Sequence, residues 1–278
     1  MIPSFLLIAL LAGLAASITG GIMGTYVVAR RILSIAGSIS HSVLGGMGLF
    51  LWLKRTYGID WLTPIGGALL AALLSAFLIG WIRLNYRERT DTVIALIWST
   101  GMAIGVIFIS LTPGYNVEMM DFLFGNILWV TKQELLFLIL LDIFLAGSAY
   151  LFHSRFLAIC FDEEHAKLQN INVKAFFIFL LCLVAVSVVL LIQIVGAILV
   201  IAMLAIPAAI ASTYSHHMPK IMLLSILFGA LFTFIGTSVA FILNWPPGAT
   251  IALTASLLYV LRHLTGIAGK RGNKVTAQ

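Results

Sequence analysis

The sequence predicts an all-α, polytopic membrane protein with about nine transmembrane helices (eight or nine). Two observations predict this class: a composition too apolar for a water-facing surface, and a series of long stretches without charged residues. Of 278 residues, 62% are hydrophobic and only 9% are charged, and the mean hydropathy is +1.12. A soluble domain carries about a quarter charged residues, so lipid is expected to solvate most of this chain.

The charge-poor stretches set the number and order of the helices, because one crossing of the hydrocarbon core needs about 20 helical residues. Single crossings are predicted for residues 4–29, 32–53, 61–82, 92–117 and 135–152, the last interrupted only by Asp142. The charge-free stretches 175–219 and 221–261 are about twice as long as one crossing, so each is predicted to fold back once. The breaks are expected near residues 193–196 and at residues 244–248, where two prolines stop a helix.

The basic residues predict the orientation. If Arg30 and Arg31 face the cytoplasm, alternation of nine spans leaves only Lys54, Arg55 and Lys132 outside, out of 16 Lys and Arg. Cytoplasmic loops are enriched in Lys and Arg, so the N-terminus is expected outside and the C-terminus in the cytoplasm. All 278 residues are expected to form one transmembrane domain. The net positive charge is thinly spread and forms no basic stripe, so nucleic acid is not an expected partner.

Four polar residues at or near membrane depth are candidates for a cation path. His41 is the only one of six histidines predicted at membrane depth, and imidazole suits zinc. Asp142 is a second ionisable residue within a predicted span. Ionisable groups in lipid are functional candidates by default, although both residues also fit an interhelical hydrogen bond. Glu118 and Asp121 are expected at the outer mouth, either concentrating cations, contacting a binding protein or simply solvated.

A short polar segment between two spans is predicted to form a cytoplasmic surface helix at about residues 162–170. Asp162 suits an N-cap, and Glu163 and Glu164 complement the positive end of a helix. Asn170 tolerates the left-handed conformation that ends one. Two interpretations remain open from these residues alone: an amphipathic connector, or a helix that docks a soluble partner.

Several motifs along the chain support the docking interpretation. The cytoplasmic segment carries Phe-Asp-x-Glu-x-Ala and, further on, Asn-Val at 161–173; two other motifs are Arg-Arg followed by Ser-His-Ser-Val-Leu at 30–44 and Leu-Phe-Gly-Asn-Ile-Leu at 123–128. The last is Val-Gly-Ala-Ile-Leu-Val at 195–200, followed by Pro-Ala-Ala at 207–209. Together, and in this order, they resemble the membrane subunits of ABC importers for zinc and manganese. The chain departs from that pattern at Glu163, where the family commonly has Pro, and at Asn170, where it has Gly.

The resemblance implies a type II ABC importer permease in the bacterial inner membrane, with a second permease subunit completing the path. It implies zinc or manganese as transported substrate, zinc being favoured, and no permanently bound cofactor. An extracytoplasmic metal-binding protein would deliver the metal. The chain has no Gly-x-x-x-x-Gly-Lys-Ser/Thr motif, so ATP is expected on separate ATPase subunits and the chain itself is not expected to be an enzyme.

The resemblance also assigns residues. His41 matches a metal-ligating histidine, but the aspartate that the family usually has four residues earlier is Gly37 here. Asp142 is a candidate replacement. The residues expected to couple the permease to the ATPase are those of the cytoplasmic helix: Asp162, Glu163, Glu164, Ala166 and Asn170.

Three other classes of protein compete with this interpretation. An ion-gradient-driven secondary transporter would use Asp142 as a proton carrier, but no inverted repeat is detectable in the sequence. An ABC permease for a metal chelate would share the architecture, whereas the Ser-His-Ser-Val-Leu segment favours bare metal. An intramembrane enzyme lacks support, because no HExxH or Gly-x-Ser-x-Gly motif occurs in the sequence.

Overall fold

The structure is a computed structural model that describes residues 4–86, 90–114, 122, 125, 127 and 130–275. These residues form ten long or short α-helices, which confirms the all-α prediction. In chain order they are α1 (Ser4–Ala29), α2 (Leu33–Tyr57), α3 (Pro64–Asn85), α4 (Thr90–Leu111), α5 (Lys132–Phe161), α6 (Glu163–Leu168), α7 (Val173–Val195), α8 (Ala197–Ala211), α9 (Met218–Leu243) and α10 (Pro247–Val275).

Seven helices of the described chain are long and apolar enough to cross a membrane: α1, α2, α3, α4, α5, α7 and α9. Two apolar helices are shorter, α8 with 15 residues and the apolar part of α10, Pro247–Arg262. At 1.5 Å per residue α8 is roughly 22 Å long, less than the roughly 30 Å of a hydrocarbon core. The multi-span character is therefore confirmed, while the count of nine spans stays a prediction.

The two longest charge-free stretches break where the sequence predicts. Helix α7 ends at Val195 and α8 begins at Ala197, with Gly196 between them at φ 82°. Glycine adopts such a positive φ easily, whereas a residue with a Cβ would be strained there. Helix α9 ends at Leu243, followed by Asn244 at φ 53°, and α10 begins at Pro247.

Helix α1 packs mainly on α5, α7, α8 and α9, whereas α2 packs mainly on α3 and α4. Hydroxyl groups join neighbouring helices where lipid offers no alternative partner. Ser42 accepts a hydrogen bond of 2.8 Å from Ser75 on α3, and Ser38 donates one of 2.9 Å to the carbonyl oxygen of Ile94 on α4. These contacts fix α2, the helix that carries His41, against its two neighbours.

Helices α2 and α4 approach each other through glycines. A Cβ at Gly45 would lie 2.8 Å from the carbonyl oxygen of Gly101, and one at Gly48 would lie 2.7 Å from that of Gly105. Real Cβ atoms do not come so close, so only glycine permits this helix separation. The close contact of the two helices places the His41 side chain against α4.

Candidate metal path and cytoplasmic docking surface

His41 lies in the first half of α2, about two turns after its start, and is partly exposed. Its imidazole stacks on the indole of Trp98 from α4, with 4.4 Å between ring centroids and 8° between ring planes. The indole N–H lies 3.1 Å from the Sδ atom of Met102, one turn later on α4, and donates to it. Among the described residues no hydrogen-bond partner is found for either ring nitrogen of His41, so both nitrogens are available to a ligand.

The position of the missing family carboxylate, Gly37, has room for a side chain. Gly37 lies one helical turn before His41, on the same face of α2. A Cβ built there would meet only the Cδ1 atom of Ile201 on α8, at 3.9 Å. The face that carries His41 thus has room for a side chain at Gly37, and no carboxylate of the described residues lies there.

Asp142 is buried in α5, with a relative exposure of 6%. One carboxyl oxygen accepts a hydrogen bond from the hydroxyl of Thr19 on α1, and the other has no hydrogen-bond partner within the described chain. Helix α5 packs mainly on α1, α6 and α7, whereas His41 contacts α4. The structure therefore does not bring Asp142 and His41 together, and it gives Asp142 the geometry of an interhelical hydrogen bond.

The two carboxylates predicted at the outer mouth, Glu118 and Asp121, lie outside the described residues. A different acidic residue, Glu134, lies in the first turn of α5. Its carboxylate accepts hydrogen bonds from the backbone N–H and the hydroxyl of Thr131 in a capping box. The side-chain amide of Gln193 also donates to this carboxylate, at 3.4 Å. Its role is that of a helix cap. The described part of the chain contains no group of three or more His, Cys, Asp or Glu side chains that could hold a metal ion.

The short polar helix predicted at about residues 162–170 is present as α6. The carboxylate of Asp162 accepts from the backbone N–H groups of Glu164 and His165, at 3.0 and 2.9 Å, which caps the helix. Asn170 has φ 57° and ends the segment in the left-handed conformation. The side chains of Glu164 and Leu168 are exposed, one turn apart on one face.

Two of the five predicted coupling residues lie on the inner side of α6. Ala166 is fully buried, and the Glu163 carboxylate forms an ion pair with the Arg30 guanidinium at the end of α1. Arg30 also lies over the ring of Phe177 on α7 at 5.4 Å, and Arg83 of α3 lies over the same ring at 5.2 Å. The Phe177 ring thus contacts two guanidinium groups, and the ion pair of Glu163 with Arg30 connects α6 to this cluster.

The sequence analysis predicted neither the stack of His41 on Trp98 nor the ion pair of Glu163 with Arg30. The Trp98–His41 stack depends on how α2 and α4 are rotated against each other, which the sequence of either helix does not record. A sequence signal for the Arg30–Glu163 pair did exist: a glutamate replaces the family's proline in a segment predicted on the same side of the membrane as Arg30 and Arg31.

This architecture, a bundle of long apolar helices with one short polar helix between two of them, defines a class of proteins that cross a membrane several times. The family described as the ABC 3 transport family matches residues 3–266. The chain belongs to this family, which confirms the resemblance drawn from the motifs.

Named relatives place the chain among metal transport proteins. It is 47% identical over 259 residues to a probable metal transport system membrane protein of Chlamydia pneumoniae, covering 93% of this chain and 86% of that protein. It is 31% identical over 269 residues to the manganese transport system membrane protein MntC of Listeria monocytogenes, covering 97% and 92%. Among solved structures, PsaBC from Streptococcus pneumoniae matches with a TM-score of 0.81 and 29% identity, covering 93% of this chain and 90% of that chain.

Proposed function

We propose that this chain is the permease subunit of an ATP-driven importer for a divalent transition metal, and that His41 binds the metal in transit. The observation that carries the proposal is the partly exposed His41 imidazole on α2, with both ring nitrogens free of hydrogen bonds among the described residues. Membership of the ABC 3 transport family supports the energy source, and the names of the relatives support metal as cargo.

A second permease subunit, identical or paralogous, completes the path. One chain offers His41 as a ligand and has no carboxylate at Gly37. A two-fold related copy would bring a second imidazole to the same axis. Two imidazoles and water make a weak site, which suits a pore that must release what it binds.

Two cargo metals are candidates, each favoured by a different observation. A site with imidazole and no carboxylate favours zinc, since manganese prefers oxygen ligands. The Listeria monocytogenes relative is named as a manganese transport protein, which favours manganese. Uptake of each metal in competition with the other decides between them.

Separate ATPase subunits bind the exposed face of α6, around Glu164 and Leu168, and an extracytoplasmic metal-binding protein delivers the metal to the opposite side. The orientation follows the positive-inside rule. A reporter fused after Gln278 should therefore read as cytoplasmic and one inserted at Gly114 as external. A cytoplasmic signal at Gly114 would contradict both the orientation and the proposed docking side.

The proposed function is tested by replacing His41 with Gln and measuring uptake of zinc and of manganese at limiting concentration. The matched control is His216→Gln, because His216 is exposed between α8 and α9, outside both the proposed path and α6. We expect His41→Gln to abolish uptake with normal abundance of the assembled complex, and His216→Gln to retain it. Full uptake of both metals by His41→Gln would contradict the proposal.

A secondary transporter is the second candidate, favoured by the buried Asp142 carboxyl with one oxygen unpartnered among the described residues. Such a carboxyl can carry a proton. If the chain is a secondary transporter, uptake should stop when the proton gradient is collapsed at constant ATP, and it should be lost in Asp142→Asn. If the chain is an ABC permease, uptake should continue in both cases.

A further inference from the structure

The stack on Trp98 orients the His41 ring, which no hydrogen bond found among the described residues does. Metal-binding histidines usually donate their second ring N–H to a carboxylate, carbonyl or water, and that hydrogen bond fixes the ring. Among the described residues no such partner exists for His41. The neighbouring hydroxyls are engaged elsewhere: Ser40 donates to the carbonyl oxygen of Gly37 at 2.7 Å, and Ser42 donates to that of Ile39 at 2.9 Å.

Trp98 itself is held in place on α4. Its indole N–H donates to Met102 Sδ at 3.1 Å, and the glycine contacts between α2 and α4 fix the separation of the two helices. The indole face therefore has a defined position, and the imidazole lies parallel to it within 8°. Only this ring contact constrains the plane of the His41 imidazole among the contacts found in the described chain.

We propose that Trp98 is a positioning residue for His41, orienting the imidazole for a divalent transition-metal ion in place of the usual hydrogen bond. The inference rests on the proposed function of His41. The lone pair of the unprotonated imidazole nitrogen lies in the ring plane, so the metal approaches alongside the indole face, and the indole excludes water from one side of the ring. Metal binding makes the imidazole more positive, and an aromatic face attracts a cation.

The size of the effect follows from that attraction. A cation on an aromatic face at a partly exposed site gains a factor of roughly two to five in affinity. Trp98→Leu removes the ring and is expected to raise KM for the metal about fivefold while the maximal uptake rate is kept. Trp98→Phe keeps an aromatic face and should restore KM to within about twofold.

The matched control is Trp81→Leu. Trp81 on α3 has a relative exposure of 42%, close to the 39% of Trp98, but its ring contacts Tyr86 and no histidine. We expect uptake by Trp81→Leu to equal that of the unaltered chain. An unchanged KM in Trp98→Leu, or an equal rise in KM in Trp81→Leu, would overturn the inference.

A spectroscopic measurement tests the contact directly. The full chain in lipid nanodiscs is titrated with Mn²⁺ and with Co²⁺, two paramagnetic quenchers of tryptophan fluorescence. The difference between the unaltered chain and Trp98→Phe isolates the signal of Trp98. We expect saturable quenching of that signal, and its loss in His41→Gln. Unaltered quenching in His41→Gln, or no quenching of Trp98 by either ion, would overturn the inference.

These outcomes separate the inference from the function on which it rests. Full uptake by His41→Gln refutes the proposed function itself. Lost uptake by His41→Gln, together with an unchanged KM in Trp98→Leu and no Trp98 quenching, refutes only the role of Trp98. If Trp98→Leu fails to accumulate, the quenching difference in Trp98→Phe and His41→Gln decides, since both substitutions conserve much of the side-chain volume.

Discussion

Replacing Glu163 with Gln tests whether helix α6 moves the membrane helices through its ion pair with Arg30. The side chains of Arg30 and Glu163 have relative exposures of 13% and 42%, so the pair lies between surface and interior. Arg30 is the first residue after α1, in the short turn that leads into α2, the helix of His41. A displacement of α6 by an ATPase would therefore reach α2 through one contact and a short turn.

The magnitude follows from this intermediate burial. An exposed ion pair contributes about 0.2–1 kcal/mol, whereas removing one partner of a buried pair costs about 3–5 kcal/mol. For Glu163→Gln we expect about 1–2 kcal/mol, because Arg30 keeps its place over Phe177 but loses its counter-charge. That is a factor of roughly 5 to 30 in the equilibrium between the arrangement in which α6 is attached to Arg30 and the arrangement in which it is not.

The assay is metal imported per ATP hydrolysed by the assembled transporter, with co-purification of the ATPase measured in parallel. We expect Glu163→Gln to keep the ATPase bound while import per ATP falls roughly 5- to 30-fold. Glu164→Lys, one residue further on the exposed face, should instead release the ATPase. The charge swap Arg30→Glu with Glu163→Arg should recover part of the import. Normal import per ATP in Glu163→Gln, or a swap no better than either single variant, would refute the reasoning.

Three further predictions follow from other contacts. Gly37→Asp should lower KM for manganese relative to zinc in competitive uptake, because it adds an oxygen ligand where the helix face is open. Asp142→Leu should lower thermal stability in detergent by about 1–3 kcal/mol through the lost bond to Thr19, with Asp142→Asn close to normal and uptake retained in both. Gly45→Ala should lower the stability in detergent by about 1–3 kcal/mol, because its Cβ meets the α4 backbone. Gly147→Ala should leave the stability unchanged, because the space around Gly147 is open.

The helix layout was predictable because lipid imposes one strong rule: charged residues stay out of the hydrocarbon core. That rule located the breaks near Gly196 and Asn244, since a charge-free stretch of double length must turn. It placed helix ends less well. The span predicted at 135–152 belongs to a helix of 30 residues, Lys132–Phe161, because charged residues continue the helix beyond the core.

The site was only half predictable, for a physical reason. His41 was identifiable because an imidazole at membrane depth is costly and rare, and Asp162 because an N-cap is a local property of the chain. Trp98 was not identifiable, because α4 is apolar on all sides and its rotation against α2 is set by the glycine contacts. Ala166 and Glu163 were assigned to docking as a group with Glu164, since the rotation of a two-turn helix on the membrane surface depends on what it packs against.

The ligand set limits what kind of metal site this chain can build. Zinc in proteins usually takes four ligands, and manganese more. The described part of one chain brings one imidazole to the candidate path and no group of three or more His, Cys, Asp or Glu side chains. In the proposed dimer, two copies would supply two imidazoles, and water would fill the remaining positions. A partly hydrated ion exchanges quickly, so under the proposed function the path would select its cargo mainly through the delivering protein and through the fixed planes of the two histidines. The orientation of His41 by Trp98 would therefore matter more here than in a site with a full set of protein ligands.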